Sequence, residues 1–335
     1  MKKIILTVTA VLLTLLTVMA GLSGCNAGDT NKPGPQLPEV PDDEEEQTEV
    51  SQPVSLLADP FFAAGLDLMG LESSMGTATV KRLKYGSGPI SWKLAQWWSK
   101  YNLKDGSEMR TGDKYTISDS SKLVEYNFTD KSLKLEVNAR HEFDTYNTKA
   151  PAKWPHLLLE QELTPVFMLE EIEEVYAGLD FTLNKAVNQK GTDKGLHAQF
   201  AWFIYIVNRN PESPGYGNFL WFGFNIYDST REYAAPTQLQ DTAVEKGNFI
   251  YTVGAKDFLS SPIAAGEKMS FRVNMVPYVK AALAAANEKG FMLNTAYEDC
   301  AITGTNIGWE VFDRWDVSIT IEKIALEIAA QQSDG

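Results

Sequence analysis

Apolar and polar residues alternate with a period of two in run after run of this chain, and that rhythm restricts it to β-structure. Ser132 to Val137 sets Leu133, Leu135 and Val137 against Lys134 and Glu136. Leu157, Leu159 and Leu163 share one side of a strand near 154–164. Lys268 to Met275 alternates Met269, Phe271, Val273 and Met275, and Val317, Ile319 and Ile321 alternate in the last strand. Leu196 to Val207 and Phe219 to Asp228 are long aromatic and β-branched strands. The turn residues Asn210-Pro211-Glu212-Ser213-Pro214-Gly215-Tyr216-Gly217 predict a loop that joins them as antiparallel neighbours. One helix is expected over Tyr278 to Lys289, after Pro277 and before Gly290, and a weaker helical stretch around Leu94 to Tyr101. Ten or more strands with one or two helices predict an all-β, two-sheet antiparallel sandwich of jelly-roll type. An α/β fold would need strands and helices in regular alternation, which the sequence lacks.

Domain organisation follows from where buriable residues begin. Residues 26–54 hold eight acidic side chains against the single Lys32, interleaved with prolines and almost nothing apolar, so 25–54 reads as a solvated, extended tether. All eight tryptophans lie beyond it, and no repeat or linker divides 55–335, which is expected to be one domain. The net charge of −14 argues against nucleic acid as a partner, which would want a basic face.

Lys2 and Lys3 precede an apolar run, Ile4 to Met19, too short for an ordinary membrane span. Leu22-Ser23-Gly24-Cys25 then resembles the lipobox of bacterial lipoproteins. The resemblance implies a signal peptide over 1–24, cleavage before Cys25 and a diacylglycerol on its sulfur. It therefore implies a lipid anchor in a membrane and an extracytoplasmic place in the cell envelope. Cys300 is then left without a disulfide partner. Glu298 and Asp299 beside it would raise a thiol pKa, so it reads as a small buried hydrophobe and not as a nucleophile.

Chemistry is sought on the second face of each long strand. Opposite the apolar face of 219–228 stand Trp221, Gly223, Asn225 and Tyr227; opposite that of 196–207 stand His197, Gln199, Phe203 and Tyr205. On 154–164 Trp154, His156, Glu160 and Glu162 share one side. Aromatic rings beside amides suit a pyranose, which offers C–H groups to a ring and hydroxyls to side chains. Trp154, Tyr205, Trp221 and Tyr227 are the candidate stacking residues, and His156, Glu160, His197, Gln199 and Asn225 the candidate hydrogen-bonding ones, provided the three strands are adjacent. The alternative is that these aromatics are core and the amides satisfy backbone. No zinc spacing occurs, Asp228 and Glu298-Asp299 match no calcium loop, and no cofactor is expected.

Hydrolysis would require two carboxylates flanking a glycosidic bond; Glu160 and Glu162 on one strand, and Glu310 in Gly308-Trp309-Glu310-Val311, are the candidates. A lyase would use His197 or Tyr205 as base with Gln199 and Asn225 as neutralising groups. Glu170-Glu171-Ile172-Glu173-Glu174 departs from the acidic strand motif of laminarinase-like jelly-roll glucanases in spacing and in its missing aspartate, and reads as a polar strand edge. In strand rhythm and in the closing segment Asn306 to Val311 the domain resembles concanavalin A-like and carbohydrate-module β-sandwiches. What this implies is a membrane-tethered carbohydrate-binding protein whose partner is a polysaccharide or glycan. A glycoside hydrolase or polysaccharide lyase on the same fold is the alternative, and an envelope interaction protein the second.

Overall fold

The structure is a computed structural model, and it describes residues 53–72, 78–145, 147, 151, 153–170, 172–189, 196–241 and 248–329. Residues 1–52, and with them Cys25 and the segments expected to be a signal peptide and most of a tether, lie outside the described residues.

Seventeen strands among the described residues build the molecule. The first eight are β1 (Val54–Ser55), β2 (Leu66–Met69), β3 (Thr79–Leu83), β4 (Trp92–Ala95), β5 (Ser107–Thr111), β6 (Lys114–Ser118), β7 (Lys122–Asn127) and β8 (Ser132–Asn138). The long strands follow: β9 (His156–Met168), β10 (Val175–Asn188), β11 (Ala198–Asn208) and β12 (Phe219–Asp228). β13 (Thr237–Asp241), β14 (Asn248–Gly254), β15 (Lys268–Asn274), β16 (Cys300–Val311) and β17 (Trp315–Ile328) complete the set. One sheet runs β15-β10-β17-β8-β7-β6-β5, with β1 added to β17; the other runs β13-β14-β12-β11-β16-β9-β4-β2-β3. The fold is thus an all-β sandwich of eight and nine strands. Two pairs, β12 with β14 and β2 with β4, are parallel, so the second sheet is mixed where an antiparallel one was expected.

The period-two apolar faces meet between the sheets. Phe181 of β10 and Val317 and Ile319 of β17 come from one side, and Phe200, Trp202 and Phe222 from the other, all fully buried. Trp202 hides its ring but not an unpaired donor: Nε1 donates to Thr305 Oγ1 at 2.6 Å. Trp309 of β16 donates to the Leu135 carbonyl at 3.2 Å, a hydrogen bond that crosses from one sheet to the other. The expected helix is α1 (Val276–Glu288), opened by Pro277 and followed by Gly290 in a left-handed turn (φ 82°). Val279, Ala282, Leu283 and Ala286 make its buried face, and the helix packs against β12 and β14.

The stretch Leu94–Tyr101 is not helical. Trp92 and Leu94 turn into the core while Lys93 turns outward, the alternation of β4, and the chain then turns at 97–98. The acidic run 170–174 is likewise no strand edge: its described residues lie in the connection from β9 to β10. A fully buried Lys122 is held by four oxygens, donating to the Tyr101 carbonyl at 2.7 Å and to Ser121 Oγ at 3.2 Å and facing Asp119 at 3.0 Å and Glu142 at 3.5 Å. This network ties β7 to the turns on either side. Cys300 opens β16 as a buried free thiol, pushed up to about 12 by burial and then by Asp299 and Glu298.

Candidate functional site

The outer face of the nine-stranded sheet collects the polar and aromatic positions singled out above. β11 and β12 are direct neighbours, and β16 lies between β11 and β9 and supplies its own outward residues. Register aligns these side chains in rows that cross the strands. One row runs Lys93, Glu160, Asn306, Phe203, Gly223, Thr252 over β4, β9, β16, β11, β12 and β14. The row beside it runs Glu162, Gly304, Tyr205, Trp221, Ile250. On the other side of the first lies a row of mostly small residues, Ala95, Leu158, Gly308, Ala201, Asn225, Gly254. Beyond it stand His156, Glu310, Gln199 and Asp228.

Glycine decides how the aromatics lie. A Cβ on Gly304 would meet the Tyr205 ring at 2.7 Å, and one on Gly223 would meet the Phe203 ring at 2.7 Å, so each ring lies down over a glycine of the next strand. Trp221 packs edge-on against Tyr205 at 4.9 Å and against Phe219 at 5.0 Å. Tyr205 is buried beneath this cluster, its hydroxyl meets Asn306, and burial followed by the nearby Glu160 raises its pKa well above that of a free tyrosine. It supports the surface and offers no open ring face, whereas Trp221 and Phe203 remain partly exposed.

Glu160 is a strongly perturbed carboxyl on this face. Burial pushes it up to about 7, against the pull of Lys93, the Asn306 amide and His156, and Glu162 adds to the rise. Glu162 is exposed and ion-paired with Lys93 at 2.5 Å. Glu310 goes the other way. Burial works to raise it, but His156 at 3.3 Å, Trp154 Nε1 at 3.0 Å and the Gln199 amide outweigh burial and hold it below the ordinary carboxylate range. The Nδ1 atom of His156 lies 2.9 Å from the Trp154 carbonyl, so both ring nitrogens face oxygen acceptors. Trp154 stacks on His156 (5.5 Å) and on Phe312 (4.5 Å); Phe312 in turn contacts His197 at 4.6 Å. Trp97 and Trp98 close over the same imidazole.

The sequence-derived residues therefore divide into two groups on one face. Trp154, His156, His197, Gln199 and Glu310 form a packed cluster at one end of the strands; Glu160, Glu162, Tyr205 and Trp221 gather on the other side of the small-residue row, and Asn225 stands within that row. Tyr227 belongs to neither. A bulge between Phe200 and Ala201 in the pairing with β12 shifts the strand by one residue, so Tyr227 pairs with Phe200 and its ring meets the core residue Trp309 at 6.0 Å. The same shift brings Asp228 to the outer face, where it caps Thr230.

As a catalytic constellation the three glutamates are unequal. Glu310 sits four register positions from Glu160, about 13 Å along the strand. Its oxygens are committed to the Trp154 cluster. Glu160 and Glu162 stand two apart on β9, with Cα atoms about 6.5 Å apart, and are the pair that could share a glycosidic bond. The sequence reading missed Asn306 and Lys93. Asn306 alternates outward with Gly304, Gly308 and Glu310, a signal open to the same period-two reading; Lys93 was masked by the helical assignment of its surroundings. Among the described residues no cluster of His, Cys, Asp and Glu could hold a metal ion.

No family model matches the chain, and no curated protein matches it either. Solved structures that resemble it are family 12 glycoside hydrolases. A family 12 xyloglucanase from Bacillus licheniformis, solved with ligand, is 12% identical over 67% of this chain and 97% of that one, with a TM-score of 0.40. A cellulase derived from Cel12A of Rhodothermus marinus is 8% identical over 70% and 99%, with a TM-score of 0.37. The endoglucanase Cel12A of Rhodothermus marinus itself is 9% identical over 66% and 95%, with a TM-score of 0.36. Likeness at this level does not extend to which side chains bind or react.

Proposed function

We propose that the outer face of the nine-stranded sheet binds a neutral polysaccharide laid across the strands, and that the chain is a membrane-tethered, extracytoplasmic carbohydrate-binding protein anchored through Cys25. The observation that carries this is the register: Glu160, Asn306, Phe203 and, one row over, Trp221 line up on four adjacent strands beside a row of small residues. A low row flanked by taller polar and aromatic side chains gives a sugar chain a floor, ring faces and hydrogen-bonding amides together. The long acidic tether would hold this face away from the bilayer. Trp221→Ala tests the assignment. The variant should keep its fold by circular dichroism and lose roughly tenfold or more in affinity for a polysaccharide that the wild type binds. Unchanged affinity would remove Trp221 from the binding face and the row argument with it.

Glycoside hydrolysis is the second reading, favoured by Glu160. A carboxyl raised to about 7 by burial is protonated often enough near neutrality to act as a general acid, with Glu162 beside it as the second carboxylate. On this reading Glu160→Gln lowers sugar release by 100-fold or more, as an order of magnitude, while leaving binding nearly intact. Turnover that survives this change would exclude Glu160 as the acid.

A further inference from the structure

The ends of three neighbouring strands enclose a cleft at one corner of the nine-stranded sheet. β2 and β4 run parallel, so the segments that leave them, 70–72 and 96–99, emerge together. β9 runs antiparallel to β4, so the residues that lead into it, 153–155, lie at the same end. Leu71 and Glu72 from the first segment, Trp98 and Ser99 from the second and Lys153 from the third line a cleft of about 370 Å³. That volume falls in the small-ligand range, roughly 300–1,000 Å³. Glu72 and Lys153 are exposed and Trp98 partly so, which leaves the cleft open to solvent.

Trp98 is its fixed wall. The backbone there is left-handed (φ 56°), a conformation that suits glycine and is rare for a residue of this bulk. The Trp98 N–H donates to the Leu71 carbonyl at 2.9 Å and ties two of the lining segments together. The indole is braced edge-on by Trp154 at 5.4 Å and by His156 at 5.2 Å. An unfavourable turn that carries a large ring marks a position where the placement of that ring matters. A ring held in this way loses little freedom when a ligand arrives. Glu72 and Lys153 carry opposite charges, so the lining favours neither an anion nor a cation. One hydroxyl can donate to the Glu72 carboxylate and another accept from the Lys153 ammonium, while C–H groups meet the indole. The row of small residues on the outer face ends at Ala95 of β4, three residues before Trp98, so a polysaccharide lying on that floor reaches this corner. We propose that the cleft is a further sugar subsite, which takes an uncharged residue of the polysaccharide with its ring against Trp98 and its hydroxyls on Glu72 and Lys153. The proposal rests on the carbohydrate-binding reading above and deepens it by extending the binding face to the corner of β2, β4 and β9.

Lys153→Met and Trp98→Ala test it, with Trp221→Ala beside them. The full chain and the variants are titrated calorimetrically with neutral hexasaccharides of β-1,4-glucan, β-1,3-glucan, β-1,4-mannan and β-1,4-xylan, and their thermal midpoints are compared without sugar. Lys153 is exposed, so its variant should keep the wild-type midpoint while affinity for the bound hexasaccharide weakens about tenfold. Trp98→Ala should weaken it by about tenfold or more. Should Trp98→Ala fail to fold, the Lys153→Met titration decides alone. Weaker binding in Trp98→Ala with a lowered midpoint, and wild-type binding in Lys153→Met, would mean that the indole only packs the corner and would overturn the subsite. Wild-type affinity in both, with Trp221→Ala weakened, would overturn the subsite and leave the carbohydrate-binding face standing. A wild type that binds none of the four would overturn both.

Discussion

Glu160→Gln should stabilise this protein in alkaline solution and do almost nothing in acid. The Glu160 carboxyl rises from 4.5 to about 7 on folding, chiefly because burial penalises its charged form. A folded pKa raised above the unfolded one means that the native state holds the proton more tightly. The associated stability is fully present below pH 4.5 and is lost as pH rises through about 7. The loss accumulates at about 1.4 kcal/mol for each pH step between the two values and reaches about 3 kcal/mol by pH 8. Glutamine has the shape of the protonated acid, keeps an oxygen for the Asn306 amide and never ionises. Urea unfolding of the wild type and the variant at pH 4 and pH 8 measures the effect directly, and comparing the two proteins at each pH cancels every other titrating group. The variant should match the wild type at pH 4 and exceed it by about 3 kcal/mol at pH 8. A difference that does not change with pH, or a variant less stable at pH 8, would refute burial as the cause of the raised pKa.

Two further outcomes follow from groups away from the face. Lys122→Met leaves Asp119 and Glu142 facing each other without their buried cation, and should cost roughly 3–5 kcal/mol in chemical denaturation. Cys300, buried and pushed up to about 12, should resist a thiol reagent at pH 8 in the native protein and react fully once urea unfolds it. A native thiol that reacts within minutes would contradict its burial.

Much of the fold is legible in the sequence because burial on one side of a strand is a local, period-two signal. β8, β11, β12, β15 and β17 can be read from it directly, and so can α1 from Pro277 and Gly290. β4 misleads because Trp97, Trp98 and Tyr101 follow it closely, and a run of large apolar residues suits a helix as well as a short strand and turn. Trp221, Asn225 and Glu160 can be placed on second faces in the same way. That they occupy one face of one sheet is a long-range fact, fixed by β16 entering between β9 and β11, which no local pattern encodes. Tyr227 shows the limit most sharply. A single bulged position in its pairing with β11 reverses every side chain beyond it, and nothing in Phe219 to Asp228 announces the bulge.

The measurement that tests the central claim most directly is retention of the protein on insoluble and immobilised polysaccharides, neutral and anionic, compared with that of Trp221→Ala. The account predicts selective retention of the wild type on one or more neutral polymers and release of the variant from the same material. Equal passage of both proteins over every neutral polymer would contradict it.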